Sequence, residues 1–433
     1  LLNAEFEGEL LVWWGIAKRG QELCCGRAVG GVGASLSWEF VAVSGIKQGL
    51  GTVFELSHKL DKVRLSLVST SFGEGGDALS RFRLLKQWSA LTVVGLAGVM
   101  MASCGASEAV DEGPAQAQGE GATQYPLTLE NCGTEVTIDS APSRIVSLDQ
   151  NSTEILLSLG LEDRMVGTAS WTDPVLDSLA EANDKVPRLS DNAPTYEVLL
   201  DADPDFVTAS FGRHYKAEGG VASRERLSET GIGSYLSPTD CEGGVSINAG
   251  GTRTTPLTVD VLYQEIRDLA AIFDVPERGE ELVDKLEERT QAALKGVDLH
   301  GRSVAFWFAD TRAPYIAGGL GSASMLANMT DMKNVYADVK DDWPAVGWES
   351  FVGKDPQIIV LGDLQRDRFP GDRLDDKIDF LKSDPLTSKL SAVQNECFIA
   401  LHGAEMNPSI RYVDGLEKIQ AWTRDAGACA ASE

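Results

Sequence analysis

One stretch, RFRLLKQWSALTVVGLAGVMMASC from Arg81 to Cys104, divides the chain into two parts with different prospects of folding. It starts with three cations, Arg81, Arg83 and Lys86, runs apolar from Trp88 to Ala102, and ends at a cysteine behind small residues. A charged head, an apolar segment too short to span a bilayer comfortably and a small-residue cleavage site are the three parts of a secretory signal. A single short transmembrane anchor or a buried helix is the alternative. On the signal reading, residues 81–103 are the signal peptide and the folded protein starts at residue 104. Residues 1–80 are Gly-rich, show no sustained hydrophobic period, and carry Cys24-Cys25 without a second metal-type pair. They read as an upstream extension, translated from a start placed too early, with a cytoplasmic domain before an internal signal-anchor as the alternative.

Met101-Ala102-Ser103-Cys104 resembles a bacterial lipobox, with Met where Leu is usual. The resemblance implies that Cys104 receives lipid and becomes the mature N-terminus. From residue 104 onward, 28 Lys+Arg face 56 Asp+Glu, a formal charge of −28. Such a surface repels nucleic acid and anionic lipid. A part of about 330 residues exceeds what one core serves, so two domains are expected. No later apolar run is long enough to cross a bilayer. The remaining cysteines, 132, 241, 397 and 429, contain no CxxC, which argues against a zinc cluster. In an oxidising compartment they allow three pairings, Cys132 with Cys241 among them, or stay as free buried thiols.

Residues 104–124 are small, polar and acidic and read as a flexible tether. Tyr125–Ile138 alternates about Asn131-Cys132-Gly133, a β-hairpin pattern. Strands are then predicted at Arg144–Leu148, Met165–Thr168, Phe206–Ala209 and Tyr235–Leu236, with helices at Thr153–Leu159, Tyr196–Asp201 and Arg224–Thr230. Short β runs separated by amphipathic helices specify a parallel α/β sheet. Thr258–Leu294 holds a helical period punctuated by Pro276 and Gly279, and the alternation then resumes. Strands are expected at Ser303–Phe308, Ile358–Leu361 and Cys397–Leu401, and helices at Met325–Asn328, Glu349–Gly353 and Ile410–Arg424. The domains are therefore an α/β lobe at 125–257, a linking helical segment at 258–296 and a second α/β lobe at 297–425.

Two phrases repeat between the lobes. Tyr196-Glu197-Val198-Leu199-Leu200-Asp201-Ala202-Asp203-Pro204 and Trp348-Glu349-Ser350-Phe351-Val352-Gly353-Lys354-Asp355-Pro356 each read aromatic, Glu, short helix, Asp-Pro, and each is followed by an apolar strand. Proline ends the helix and sets the preceding residue extended. A Glu near each helix start is either a charge favourable at the helix N-terminus or a functional group. With Ala141–Leu148 (APSRIVSL), Thr153–Leu161 (TEILLSLGL) and Asp163–Gly167 (DRMVG), these phrases make the chain resemble, over about residues 125–425, the substrate-binding lipoproteins of ABC importers for ferric siderophores, haem and vitamin B12. The resemblance implies two Rossmann-like lobes joined by one long α-helix, with a ligand cleft between them. It implies that Glu197 and Glu349 dock on arginines of the membrane permease. It also implies a lipid-anchored protein on the extracytoplasmic face of the cell membrane, working as a monomer, with no cofactor of its own and no nucleic-acid partner, that captures an iron chelate. Haem, cobalamin or another bulky cofactor is the alternative cargo.

Ligands of open α/β sheets bind beyond the carboxyl ends of the strands. The segments there supply Asn151, Trp171, Phe211, Arg213, Tyr215, Trp307, Arg312, Tyr315, Met406 and Asn407 as candidate ligand-binding residues. The aromatic ones suit a flat ligand, and Arg213 and Arg312 suit carboxylates, phosphate or an anionic iron chelate. Trp307 lies within a strand, where a core role competes. His214 and Tyr215 are candidate axial ligands for haem, while the shortage of histidines disfavours a bare-metal binder. There is no Gly-x-Ser-x-Gly elbow, His-Glu-x-x-His or phosphate loop. The enzyme alternative, an extracellular hydrolase, would rest on Asp310, His402 and Glu405 without an identifiable nucleophile.

Overall fold

Parallel strands buried on both faces need long apolar runs and helices to cover them, and both lobes are built that way. A computed structural model describes residues 2–7, 10–19, 22–31, 37–42, 54–59 and 62–67 as backbone strands, and residues 122–366, 368–425 and 429 with their side chains. The segment 81–103, Cys104 and the tether up to residue 121 lie outside the described residues. The chain divides into two units, residues 1–109 and 110–433. In the first, where the sequence shows no sustained period, Leu2–Glu7, Leu10–Arg19, Glu22–Gly31 and Ser37–Ala42 pair in an antiparallel sheet, and Phe54–Lys59 pairs with Lys62–Leu67.

In the second unit the hairpin Leu127–Asn131/Thr134–Ile138 turns on Cys132 and Gly133, at φ 54° and 72°. Two successive positive φ values are the two-residue turn whose twist matches the strands. The Asn131 side-chain amide then bonds both backbone groups of Leu236, covering the sheet edge beside it. That sheet is fully parallel, in the order Arg188–Ser190, Met165–Ala169, Ile145–Ser147, Phe206–Ala209, Gly233–Leu236. Its first strand in the chain lies in the middle, so the connections part on either side of it. The resulting crevice opens beyond Ser147 and Ala209. The second lobe repeats the plan: Ser303–Ala309, Ile358–Asp363 and Phe398–His402 are parallel, with Lys333–Asn334 and Tyr315–Ile316 along the free edge of Ser303–Ala309. Disulfides Cys132–Cys241 and Cys397–Cys429 close one loop in each lobe.

The linking segment 258–296 holds two helices, Val259–Ile272 and Pro276–Leu294. Asp274 takes φ 58°, a left-handed conformation that ends the first helix, and Pro276 opens the second at a position where its missing N–H is not needed. The helices fold back on each other. A Cβ at Gly279 would stand 2.5 Å from the Ala270 Cβ, so only glycine allows this approach, and Arg267 and Glu280 pair across the crossing at 2.8 Å. The first helix belongs to the N-terminal lobe, where Tyr235 donates to Asp268 at 2.8 Å and Phe273 meets Phe206 edge-on at 5.6 Å. The second packs on the closing helix Tyr412–Asp425, with Arg289 bonded to Asp414 and Glu417, each at 2.8 Å.

The lobes themselves meet through a buried polar seam. Glu154, 0% exposed on the helix Gln150–Ser158, faces Arg411, 4% exposed, from the other lobe. The Arg411 Nε donates to both carboxylate oxygens at 2.8 and 3.1 Å, and Nη2 bonds Glu154 and the Pro174 carbonyl. Burial opposes the Arg411 charge, and the hydrogen bonds and charge of Glu154 more than offset it, so its pKa is raised. Beside the pair, Asn151 accepts from the Ile410 N–H at 3.0 Å and Asp173 accepts from the Ala404 N–H at 2.8 Å. Removing one partner strands a buried charge, so Arg411→Met is expected to cost about 3–5 kcal/mol, and Glu154→Leu with Arg411→Met to recover most of it. Urea unfolding followed by tryptophan fluorescence checks this; a loss under about 1 kcal/mol for the single variant would mean that the pair does not hold the seam.

Candidate functional site

Asp149 leaves the end of the strand Ile145–Ser147 and organises the N-terminal wall of the crevice. It is 2% exposed, and its carboxylate accepts from the Ser210 and Phe211 N–H groups at 2.9 and 3.0 Å. The same carboxylate bonds Arg213 Nη2 at 2.9 Å and His214 Nε2 at 3.0 Å. Four partners on one carboxylate fix the loop and lay the Arg213 guanidinium over the Phe211 ring, 4.3 Å from its centre. Next to it, Trp171 donates from Nε1 to the Thr168 hydroxyl at 3.0 Å, and Arg188 lies over the indole at 5.0 Å.

A strap, residues 241–254, borders this wall. Buried Asp240 accepts from the N–H groups of Gly212 and Asn248 and from the Ser246 hydroxyl, and the disulfide to Cys132 holds the strap's first residue. At its far end Arg253 crosses to the other lobe and binds Asp342 with both Nε and Nη2, each at 2.9 Å.

The C-terminal wall comes from loops after Ser303–Ala309 and Ile358–Asp363. Phe308 packs on Trp343, ring centres 4.8 Å apart, and Arg366 lies 5.6 Å from the Phe308 ring and 5.9 Å from Phe369. The loop carrying Arg366 and Arg368 closes on Asp372, whose carboxylate accepts from the N–H groups of Arg368 and Phe369 at 2.8 and 2.9 Å. Beneath it, Lys377 is fully buried and donates to the carbonyls of Gly362 and Asp372 at 2.6 and 3.2 Å. Burial brings the Lys377 pKa down to about 8, against the pull of Asp372 and Asp363. On the opposite lobe, burial raises the Glu265 carboxyl to about 8, although Ser237 and Asn151 donate to it.

Three adjoining cavities occupy the space between these walls. The first, about 430 Å³, is bordered by Phe211, Arg213, Arg253, Phe308, Trp343 and Asn407, among others. The second, about 700 Å³, lies between Trp171 with Arg188 and Gln365 with Arg366. The third, about 530 Å³, runs from Trp171 and Arg213 to Arg366. Thr172, Arg366 and Arg368 border all three. Each has the size of a small-molecule site.

Of the residues predicted from the sequence, Trp171, Phe211, Arg213 and Asn407, and the candidate haem ligand His214, border these cavities. The others do not. Trp307 and Met406 are 0% exposed core residues, and the Trp307 indole donates to the carbonyls of Ala309 and Asp310. Asn151 belongs to the seam between lobes. Tyr215 donates to the carbonyls of Val207 and Tyr235 inside the first lobe. Arg312, with 73% of its side chain exposed, turns back toward Asp310 at 3.5 Å, and Tyr315 packs toward Phe369. The His214 Nε2 is held by Asp149 and the Tyr215 hydroxyl by two backbone carbonyls. His402 and Glu405 form a capping box at the helix Gly403–Met406, which commits both to structure. Arg188, Arg366, Arg368, Trp343 and the strap were missed; nothing in their local sequence pattern marks them as cleft residues. Glu197 and Glu349 are exposed in the first turns of Tyr196–Asp201 and Trp348–Lys354, equivalent helices that each lead into the strand beside the central one.

The match to known proteins spans both lobes. A family model for periplasmic binding proteins covers residues 145–404. An uncharacterised ABC transporter substrate-binding lipoprotein of Bacillus subtilis (strain 168) is 24% identical over 285 residues, 64% of this chain and 80% of that one. A vitamin B12-binding protein of Yersinia pestis (strain Pestoides F) is 22% identical over 231 residues, 52% of this chain and 71% of that one. Among solved structures, an ABC-type Fe3+-hydroxamate transport system from Saccharomonospora viridis aligns with a TM-score of 0.57 and 28% identity, covering 69% of this chain and 99% of that one. A periplasmic binding protein from Veillonella parvula aligns at 0.58 and 24%, covering 68% and 96%. The chain belongs to the periplasmic binding protein family, whose members bind solutes and are not enzymes.

Proposed function

We propose that this binding protein is the lipid-anchored, extracytoplasmic component of an ABC importer, and that it captures a ferric siderophore-type chelate and hands it to the membrane permease. The observation that carries the reading is the single cleft bordered from both lobes by aromatic and cationic side chains, Trp171, Phe211 and Arg213 on one side and Phe308, Trp343 and Arg366 on the other. Aromatic faces accept a bulky ligand of delocalised charge, and a few fixed polar groups set its orientation. Capture is non-covalent: the buried carboxylates near the cleft, Asp149 and Asp240, are saturated with hydrogen bonds from the protein itself. The relative named for Fe3+-hydroxamate transport and the one named for vitamin B12 mark the two cargo classes in best standing.

Delivery requires a surface that reports on both lobes. Glu197 and Glu349 stand exposed at matching places on the two lobes, and we assign them to permease arginines. Charges at a rim orient and steer more than they hold. The membrane connection is assigned to lipid on Cys104.

Three measurements test these assignments. Tryptophan-fluorescence titration with ferric hydroxamates, ferric catecholates, ferric citrate, haemin, cobalamin and free ferric ion is expected to show saturable binding of one chelate class below about 1 µM. Binding of cobalamin or haemin alone would move the cargo to that class. In cells importing the cargo, Glu197→Ala with Glu349→Ala is expected to cut uptake about tenfold while leaving cargo affinity within about twofold; uptake at the unaltered rate removes the docking role. Cys104→Ala is expected to shift the protein from the membrane fraction to the soluble extracytoplasmic fraction, and its retention in washed membranes would count against the anchor.

A further inference from the structure

The chain from residue 104 onward is strongly acidic, yet the cleft is lined against that trend. Arg188, paired with Asp191 at 3.0 Å, and Arg213 enter from the N-terminal lobe, and Arg366 and Arg368 from the C-terminal lobe. Arg213 spends one nitrogen on Asp149 and turns the rest of its guanidinium along the Phe211 ring. Arg366, with 19% of its side chain exposed, lies near two aromatic rings, and its Nε has no hydrogen-bond partner although the Asp372 carboxylate is 3.4 Å away. Burial lowers the Arg366 pKa, with Asp372 pulling the other way, so the surroundings leave its charge under-compensated. Arg368 is exposed at the mouth of all three cavities.

The loop that carries this pair is built to hold it in place. The Asp372 carboxylate ties down the Arg368 and Phe369 N–H groups, the Leu364 N–H reaches the Asp372 carbonyl at 2.9 Å, and the Thr311 N–H reaches the Pro370 carbonyl at 3.1 Å. Buried Lys377 bonds the loop's two ends from below. A guanidinium held in a fixed direction pairs with carboxylate or phenolate oxygens at little cost in ordering. Cations presented by two facing walls repel each other across the cleft, and a ligand bringing negative charge to both walls relieves what their own carboxylate neighbours and salt leave of that repulsion.

We propose that the cargo is a net-anionic iron chelate with at least two separated anionic oxygens, one met by Arg213 and the other by the Arg366–Arg368 loop, and that a neutral or cationic hydroxamate complex is discriminated against. This rests on the chelate reading above and narrows it. Carboxylate-rich, catecholate-rich and porphyrin dicarboxylate ligands share the required chemistry.

The test titrates the protein with ferric citrate, a ferric tris-catecholate, haemin and the cationic ferric complex of desferrioxamine, at low and high NaCl, with cobalamin as a separate fifth titrant. One of the first three is expected to bind about 100-fold more tightly than the desferrioxamine complex and to weaken about tenfold in high salt. Arg366→Gln with Arg368→Gln is expected to lose about 50-fold for that ligand. Arg368→Gln alone changes only an exposed side chain and is expected to lose about fivefold, which keeps the test decisive if the double variant misfolds. Equal or tighter binding of the desferrioxamine complex, or indifference to the arginine changes, overturns the anion requirement and leaves the chelate importer standing. Selection of haemin supports the anion requirement while displacing the siderophore as cargo. Binding of cobalamin and of none of the four overturns both.

Discussion

The buried pair between Glu154 and Arg411 is the constraint on which the cleft depends. Neither group reaches water, and each is left with a costly charge if the other is removed. Because one partner belongs to each lobe, the pair fixes where the lobes touch, and the neighbouring bonds from Asn151 and Asp173 fix their orientation about that point. Everything ligand-facing is arranged relative to this seam. Asp149, two residues before Asn151, directs Arg213, and the chain that supplies Arg411 has just passed Asn407 at the cleft wall. A second cross-lobe pair, Arg253 with Asp342, lies on the cleft wall itself, where both residues border the first cavity. The two pairs differ in kind. The first is sealed, and the second is part of the surface a ligand meets.

Charge is partitioned as deliberately as apolar area. An acidic exterior favours solubility and carries the two exposed glutamates, while cations are gathered on the cleft loops. On the proposed function, an acidic outer surface suits a basic partner and a cleft lined with arginines suits an anionic ligand.

Much of the fold was legible in the sequence because the signals were local. Tyr196–Asp201 and Phe206–Ala209 were readable from an amphipathic turn, a proline stop and an apolar run, and the structure places them at those bounds. Asp274 was not readable as a break, since the helical period of apolar residues continues through Phe273 and only Pro276 hints at a restart. The site was legible only in part. Trp307 was placed in the cleft because a strand buried on both faces shows no alternation to mark which side chains face it, and Met406 because it follows a strand end, where the short helix Gly403–Met406 turns it into the core. Arg312 sits three residues beyond its strand, as a ligand group should, but Asp310 captures its N–H and bends the loop away. Arg366 and Arg368 lie in Gln365–Gly371, a polar loop with no period, and their place in the cleft comes from the bonds of Asp372 and Lys377, which connect residues brought together only by folding.

The crossing of the two linking helices has a consequence for how the lobes hold together. Val259–Ile272 reaches both lobes, through Asp268 bonded to Tyr235 and Tyr263 bonded to Tyr412, and so does Pro276–Leu294, through Arg278 on the Leu159 carbonyl and Arg289 on Asp414. The two helices pass each other at Gly279 and Ala270 with no room for a methyl group, which joins them into one pair. The lobes are thus tied at a second place besides the Glu154–Arg411 seam, by residues that border none of the three cavities.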